Sequence, residues 1–193
     1  PELIQKSGSL VCACPTTEAN LGDGFFPADE LLTKNIPICL GTDSHAQIDM
    51  FQEARLLEVQ QRLQHQRRNV LTRYSVRENV NDQRLSDTLF PMMTSQGYKS
   101  LGWSGGQLTP GSTADFAVID LEHPSIFGVP SEFLLDALIL SASPSAVHSV
   151  YIAGRCVIEN RRHPNETEIK ESYQALLKRL IQSDGEKFLK TKR

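Results

Sequence analysis

Two short apolar runs constrain this chain most tightly: SLVCAC over residues 9–14 and IPICLG over residues 36–41. Each is continuous rather than alternating, too short for a helix, and closed by a breaker, Pro15 in one case and Gly41 in the other. A strand with water on one face alternates apolar and polar residues, whereas a strand covered on both faces of a parallel sheet reads as an unbroken apolar run. Parallel neighbours need a crossover of about a dozen residues or more. The intervening residues supply one: a turn-rich loop, TTEANLGDG, followed by PADELLTKN, which can form a turn or two of helix. The expected class is therefore α/β, with the first residues reading as the tail of a helix that runs into a strand.

Downstream, Asp49 to Val70 favours helix, with Phe51, Leu56, Val59 and Leu63 near one face and Gln61, Arg62, His65, Gln66 and Arg67 on the other. A second helix is predicted over Ser86 to Tyr98, with Leu89, Met92 and Met93 inward, before Gly102, Gly105 and Gly106. Asp115 to Leu121 reads as a strand, with Phe116, Val118 and Asp120 on one face and Ala117, Ile119 and Leu121 on the other. A helix-like piece, FLLDALILSAS, precedes VHSVYIAGRCVIENRRHP, two strands joined across Gly154 and Arg155. Ile169, Tyr173, Leu176, Leu177, Leu180 and Ile181 then stand at offsets 0, 4, 7, 8, 11 and 12, an amphipathic helix with Asn165 and Glu168 placed as a capping box. Only the KFLKTKR tail is expected to be disordered.

Charge narrows the ligands. Twenty basic against twenty-three acidic side chains leave a net charge of -3, no field for drawing in nucleic acid or an anionic membrane. No apolar run approaches the roughly 20 residues that span a bilayer, and PELIQKSGSL lacks the layout of a signal peptide. The expected location is the cytoplasm and the expected ligand a small molecule. The four cysteines form no C-x-x-C pair, and three lie in apolar strand-like runs, so they are expected to be reduced core thiols.

The chemistry converges on ICLGTDSHAQ, where Asp43 follows an apolar strand. An aspartate there can accept the free N–H groups of the next helix. It can equally stand where α/β folds keep their reactive groups, at the C-terminal ends of parallel strands. Spacing leaves both readings open. The TTEANLGDG loop offers Thr16, Thr17, Glu18, Asn20 and Asp23, either as a polar surface loop or as ligand contacts; it is no phosphate cradle, because no lysine follows and G-x-G-x-x-G is absent. The five histidines show neither His-x-His nor His-x3-His, so no self-contained metal site is visible. His65 is expected to be solvated and His123 and His163 to be turn residues, which leaves His45, two positions after Asp43. The arginine-rich QRLQHQRRNVLTRY reads as a solvated helix face, and no G-x-S-x-G or paired cysteine nucleophile occurs.

Taken in order, CPTTEANLGDGFFP, ICLGTDSHAQIDMFQEARLLEVQQRLQHQRRNVL, LGWSGGQLTPGSTADFAVIDLEHP and VYIAGRCVIENRRHP resemble the C-terminal half of the amidohydrolase superfamily. CPTTEANLGDG and the D-S-H followed by E-x-R-x-L-E and RRN are similar to the branch that hydrolyses N-formimidoyl-L-glutamate to N-formyl-L-glutamate and ammonia. The resemblance implies a zinc-dependent (β/α)8 barrel with a small β-sandwich, SLVCAC being the seventh barrel strand and IPICLG the eighth. On it, residues 1–100 belong to the barrel, 101–165 to the sandwich with an intervening helix, and 166–193 to a terminal helix and tail. Asp43 falls on the family's aspartate, a metal ligand that also takes a proton from metal-bound water. Glu18, Asn20 and His45 fall beside the substrate, and the whole enzyme is expected to be a homodimer. The family's histidine ligands would lie upstream of Pro1, which makes this the C-terminal portion of a longer enzyme, one that alone binds zinc weakly and turns nothing over. Two other readings stand beside it: a guanine or aminoheterocycle deaminase of the same superfamily, and a complete non-catalytic module. The second would leave sheet edges and apolar faces bare.

Overall fold

The computed structural model describes residues 1–44 and 47–191. Helix α1 (Glu2–Ser7) leads into strand β1 (Val11–Ala13), and after helices α2 (Pro15–Leu21) and α3 (Ala28–Thr33) comes strand β2 (Ile38–Leu40). The two apolar runs pair in parallel, Val11 with Ile38, Cys12 with Cys39 and Ala13 with Leu40, and Gly41 N–H donates to the Ala13 carbonyl at 2.9 Å. This register divides the residues between two faces. Ala13, Ile38 and Leu40 are buried in the main core with Leu31, Ala54, Leu57, Leu89 and Met92, while Cys12 and Cys39 share the opposite face.

The predicted loop after β1 is in fact helix α2. Pro15 ends the strand but also occupies the first turn of a helix, where its missing N–H costs nothing. Glu18 completes the start by accepting the Cys14 N–H on Oε1 at 2.8 Å. Read as a strand terminator, the proline concealed its second role.

Helix α4 (Met50–His65) is where the sequence predicts helix, but the faces differ from those predicted. Its buried stripe is Glu53, Ala54, Leu57, Glu58 and Gln61, together with Gln60, whereas Leu63 is 64% exposed. Two of the polar members, Gln61 and Glu58, satisfy loop backbone. Gln61 Nε2 donates to the Phe26 carbonyl at 2.7 Å, and Glu58 accepts the Val70 and Leu71 N–H groups, each at 3.0 Å. A buried carboxylate needs such partners to offset lost hydration, and polarity by itself gives the wrong face.

The second predicted helix divides into α5 (Leu85–Met93) and α6 (Ser95–Ser100), interrupted at Thr94 with φ −126° and ψ −97°. Pro91 lies inside α5 and withholds one helical N–H. Leu89 and Met92 point inward as expected. Strand β3 (Phe116–Ile119), helix α7 (Leu134–Leu140) and strands β4 (Val147–Ile152) and β5 (Arg155–Ile158) follow. The strands form one antiparallel sheet in the order β3-β4-β5, with the rings of Phe116 and Tyr151 stacked at 4.6 Å. The hairpin turns through Ala153 and Gly154, at φ 48° and 77°, one residue earlier than predicted. Helix α7 is fastened to the first half: Arg55 donates to the Ile139 carbonyl at 2.9 Å and the Ala142 carbonyl at 2.8 Å, and Asp136 accepts the Ser86 N–H at 2.9 Å.

The last helix, α8 (Glu166–Thr191), forms on the predicted period and continues through most of the KFLKTKR segment expected to be disordered. Its apolar side chains, Ile169 through Ile181, remain exposed. All four cysteines are free thiols, yet only Cys39 is buried; Cys12 and Cys156 are exposed and Cys14 is intermediate. His65 stands 3.7 Å from Asp29 instead of being merely solvated. His123 links two loops through Ser125 at 2.8 Å and Ser145 at 3.0 Å. Among the described residues no helix is long and apolar enough to cross a membrane.

Candidate active site

The C-terminal ends of β1 and β2 open onto one acidic region, built by the two segments that leave them. Asp43, three residues beyond β2, has φ 50°, a left-handed conformation that few residues other than glycine, asparagine and aspartate tolerate. Its side chain is exposed. It makes no hydrogen bond or ion pair among the described residues. The capping reading fails on position: α4 starts at Met50, and its N-cap is Asp49, whose Oδ1 accepts the Phe51 N–H at 3.0 Å. Among the described residues Asp43 is thus an unpartnered carboxylate, in a left-handed conformation that aspartate adopts more readily than most residues.

Thr17 holds that conformation. Buried on α2, its hydroxyl donates to the Thr42 carbonyl at 2.9 Å, lies 2.9 Å from Ser44 Oγ, and accepts the Ser44 N–H at 3.2 Å. The residues on either side of Asp43 are therefore tied to one side chain. Glu53 anchors α2 from below: it is fully buried and accepts both the Thr16 N–H, at 2.9 Å, and the Thr16 hydroxyl. Burial pushes the Glu53 carboxyl above its usual range, and the bonds from Thr16 oppose that rise. The Cys14 thiol is also pushed up, first by burial and then by the charges of Glu18, Asp43 and Glu53.

Among the residues predicted from sequence, Asp43 and Glu18 lie at this end of the strands. Glu18 has one oxygen committed to the Cys14 N–H. Asn20 is exposed near the C-terminal end of α2, and His45 lies outside the described residues. The positioning roles of Thr17 and Glu53 had no sequence signal, since they depend on α2 being a helix and on the inward face of α4. Substituting Thr17→Val removes the hydroxyl and leaves the Thr42 carbonyl and Ser44 N–H to find other partners, at a cost of about 1–3 kcal/mol. The expected result is a lower urea midpoint with unchanged slope, largely restored by Thr17→Ser.

As a metal site the chain is incomplete. Among the described residues Asp43 offers an oxygen donor with no competing partner, but no three histidine, cysteine, aspartate or glutamate side chains converge to hold an ion.

The model of the Amidohydrolase family matches residues 2–157. The chain belongs to the amidohydrolase family. It is 33% identical to formimidoylglutamate deiminase of Pseudomonas aeruginosa over 179 residues, which cover 92% of this chain and 38% of that enzyme. It superposes on an amidohydrolase from Brucella melitensis with a TM-score of 0.74 and 32% identity, covering 88% of this chain and 36% of the other. A zinc-bound adenosine deaminase from Xanthomonas campestris, 24% identical, shares the fold with a TM-score of 0.69 over 84% of this chain and 36% of that one. This amidohydrolase chain thus spans well under half the length of the relatives it matches. The parallel β1-β2 pair and the helices over it are a part of a (β/α)8 amidohydrolase fold. Asp43 accordingly stands at the C-terminal face of that part, where such folds concentrate their chemistry.

Proposed function

We propose that this chain is the C-terminal part of a formimidoylglutamate deiminase, an enzyme that hydrolyses N-formimidoyl-L-glutamate to N-formyl-L-glutamate and ammonia. The observation that carries the reading is Asp43: an exposed carboxylate, unpartnered among the described residues, whose neighbours Thr42 and Ser44 are held by Thr17 beyond the end of β2, in a family of hydrolases. The similarity to the Pseudomonas aeruginosa enzyme supports the substrate.

A zinc ion, when bound, supplies a water whose pKa falls to about 7. Asp43 would be one of its ligands, with histidines supplied by the longer protein. As a base Asp43 would accept one proton from water as oxygen adds to the formimidoyl carbon and pass it to the imine nitrogen, and the hydroxyl proton of the adduct would follow, so that the nitrogen leaves as ammonia and the carbonyl forms. Glu18 and Asn20, on α2 beside this loop, and His45 contribute to holding the small-molecule substrate. The β3-β4-β5 sheet is one part of a small β-sandwich that further strands complete. The longer protein works as a cytoplasmic homodimer in histidine degradation, and this chain alone holds zinc weakly and is inactive.

The test is ammonia release by the longer protein from N-formimidoyl-L-glutamate, with adenosine and guanine as competitors. Turnover of the formimidoyl substrate at a kcat/KM at least about tenfold above either base supports the reading. Activity confined to a purine would replace it with an aminoheterocycle deaminase, a possibility that the shared fold of the Xanthomonas enzyme keeps specific.

A further inference from the structure

Helix α2 brings no side-chain cap of its own: Cys14, at its N-cap, makes no such bond, and at seven residues the helix is too short to be stable unaided. The amides at its start are met by carboxylates instead, the Cys14 N–H by Glu18 and the Thr16 N–H by Glu53 from the first turn of α4. Negative charge at that end of a helix is favourable. Glu53 is nonetheless a costly choice for the task. It is fully buried, and among the described residues only Thr16 bonds to its side chain, with no cation beside it. Burying a carboxylate without a counter-ion costs stability that an apolar side chain would not, and natural proteins make such departures mainly where function requires them.

The bonds close a ring. From Thr42 the chain runs through Asp43 to Asp49 and into α4; Glu53 crosses to Thr16, and the next residue, Thr17, returns to the Thr42 carbonyl and the Ser44 N–H. Both linking side chains are buried within this chain, Glu53 at 0% and Thr17 at 4% exposure, so the ring does not depend on any surface that the longer protein covers.

We propose that Glu53 is a positioning residue for the hydrolysis: by fixing α2 against α4 it sets the place of the Asp43 carboxylate, and it does so through Thr17. The inference rests on the role given to Asp43 under the proposed function and adds to it a residue that touches no reacting atom. A displacement of about 1 Å at a reacting group can cost roughly 10²-fold in rate, so a partial loosening of the ring is expected to cost about tenfold. Glu18 and Asn20 ride on the same helix. An effect of Glu53 that bypassed Thr17 would therefore appear in KM, whereas one that reaches Asp43 appears in kcat.

The experiment is a double-substitution cycle in the longer protein, read on kcat for ammonia release. Glu53→Gln, close in shape and left with one acceptor, should lower kcat about tenfold, and Thr17→Val at least as much. Added to Thr17→Val, Glu53→Gln should cost less than about twofold more, because the route through Thr17 is already cut. Gln61→Ala, which unfastens α4 from Phe26 instead, should lower stability and leave kcat unchanged. Hydrogen exchange at the Ser44 amide gives a readout independent of substrate and metal, and Glu53→Gln should speed it as Thr17→Val does. Far-UV circular dichroism checks the variants; Thr16→Val, which removes one of the two donors, takes the place of Glu53→Gln if that variant does not fold. Fully multiplicative losses in the double variant, a change confined to KM, an equal kcat loss in Gln61→Ala, or unchanged exchange at Ser44 overturns the proposal. A longer protein that deaminates only a purine overturns the formimidoylglutamate reading alone, and the cycle is then read on that purine.

Discussion

Asp43→Asn is expected to reduce ammonia release by the longer protein by about 10²–10⁴-fold, the range for loss of an acid–base group, while leaving the melting temperature of the metal-free protein nearly unchanged. The separation of the two effects follows from how Asp43 is held. Its side chain is exposed and unpartnered among the described residues, so loss of its charge removes no interaction that stabilises the fold, and such surface changes stay within about 0.5 kcal/mol. Its backbone, at φ 50°, is in a region that asparagine also tolerates, and the Thr17 clamp binds only the neighbouring residues. What the variant lacks is a carboxylate that can accept a proton. Parallel measurement of turnover and thermal melting checks this. Near-normal turnover would exclude Asp43 from the chemistry, and it could not be returned to helix capping, because Asp49 fills that role.

The parts of the fold that were legible in sequence are those specified by apolar burial over a short range. The runs around Cys12 and Cys39 were expected to pair as parallel strands, and they do, although on β1 only the face that carries Ala13 is covered within this chain. The inward positions Leu89 and Met92 likewise follow from period alone. What could not be read depended on polar side chains with distant partners. Gln61 sits on the buried face of α4 because Phe26, thirty-five residues earlier, needs a donor for its carbonyl. Thr17 matters because Thr42 and Ser44 come back beside it across the parallel crossover. The candidate site was legible to the same extent: Asp43 stood out by its place after an apolar strand, but choosing between cap and reactive carboxylate required knowing where α4 begins. Cys12 reversed the expectation of a core thiol because each face of a strand has its own surroundings, and the helices of this chain cover the face that carries Ala13.

The largest stability loss is expected from Glu58→Ala, about 3–5 kcal/mol, the scale for breaking a buried charged network by removing one partner. Glu58 is fully buried and accepts three donors: the Arg62 Nε at 2.7 Å and the Val70 and Leu71 backbone N–H groups at 3.0 Å each. These donors differ in what they can do once the carboxylate is gone. Arg62 is 24% exposed and can turn toward water. Val70 and Leu71 are buried at 1% and 0%, so each amide is left with an unmet hydrogen bond that costs about 1–3 kcal/mol. Glu58→Gln retains one acceptor oxygen and should lose roughly half as much, whereas Arg62→Ala strips the buried carboxylate of its counter-ion but leaves both amides bonded, so their exchange protection should persist. Urea unfolding gives the totals, and hydrogen exchange at the Val70 and Leu71 amides locates the cause. A loss below about 1 kcal/mol for Glu58→Ala would mean that the segment after α4 is held by the packing of Leu71 rather than by this carboxylate.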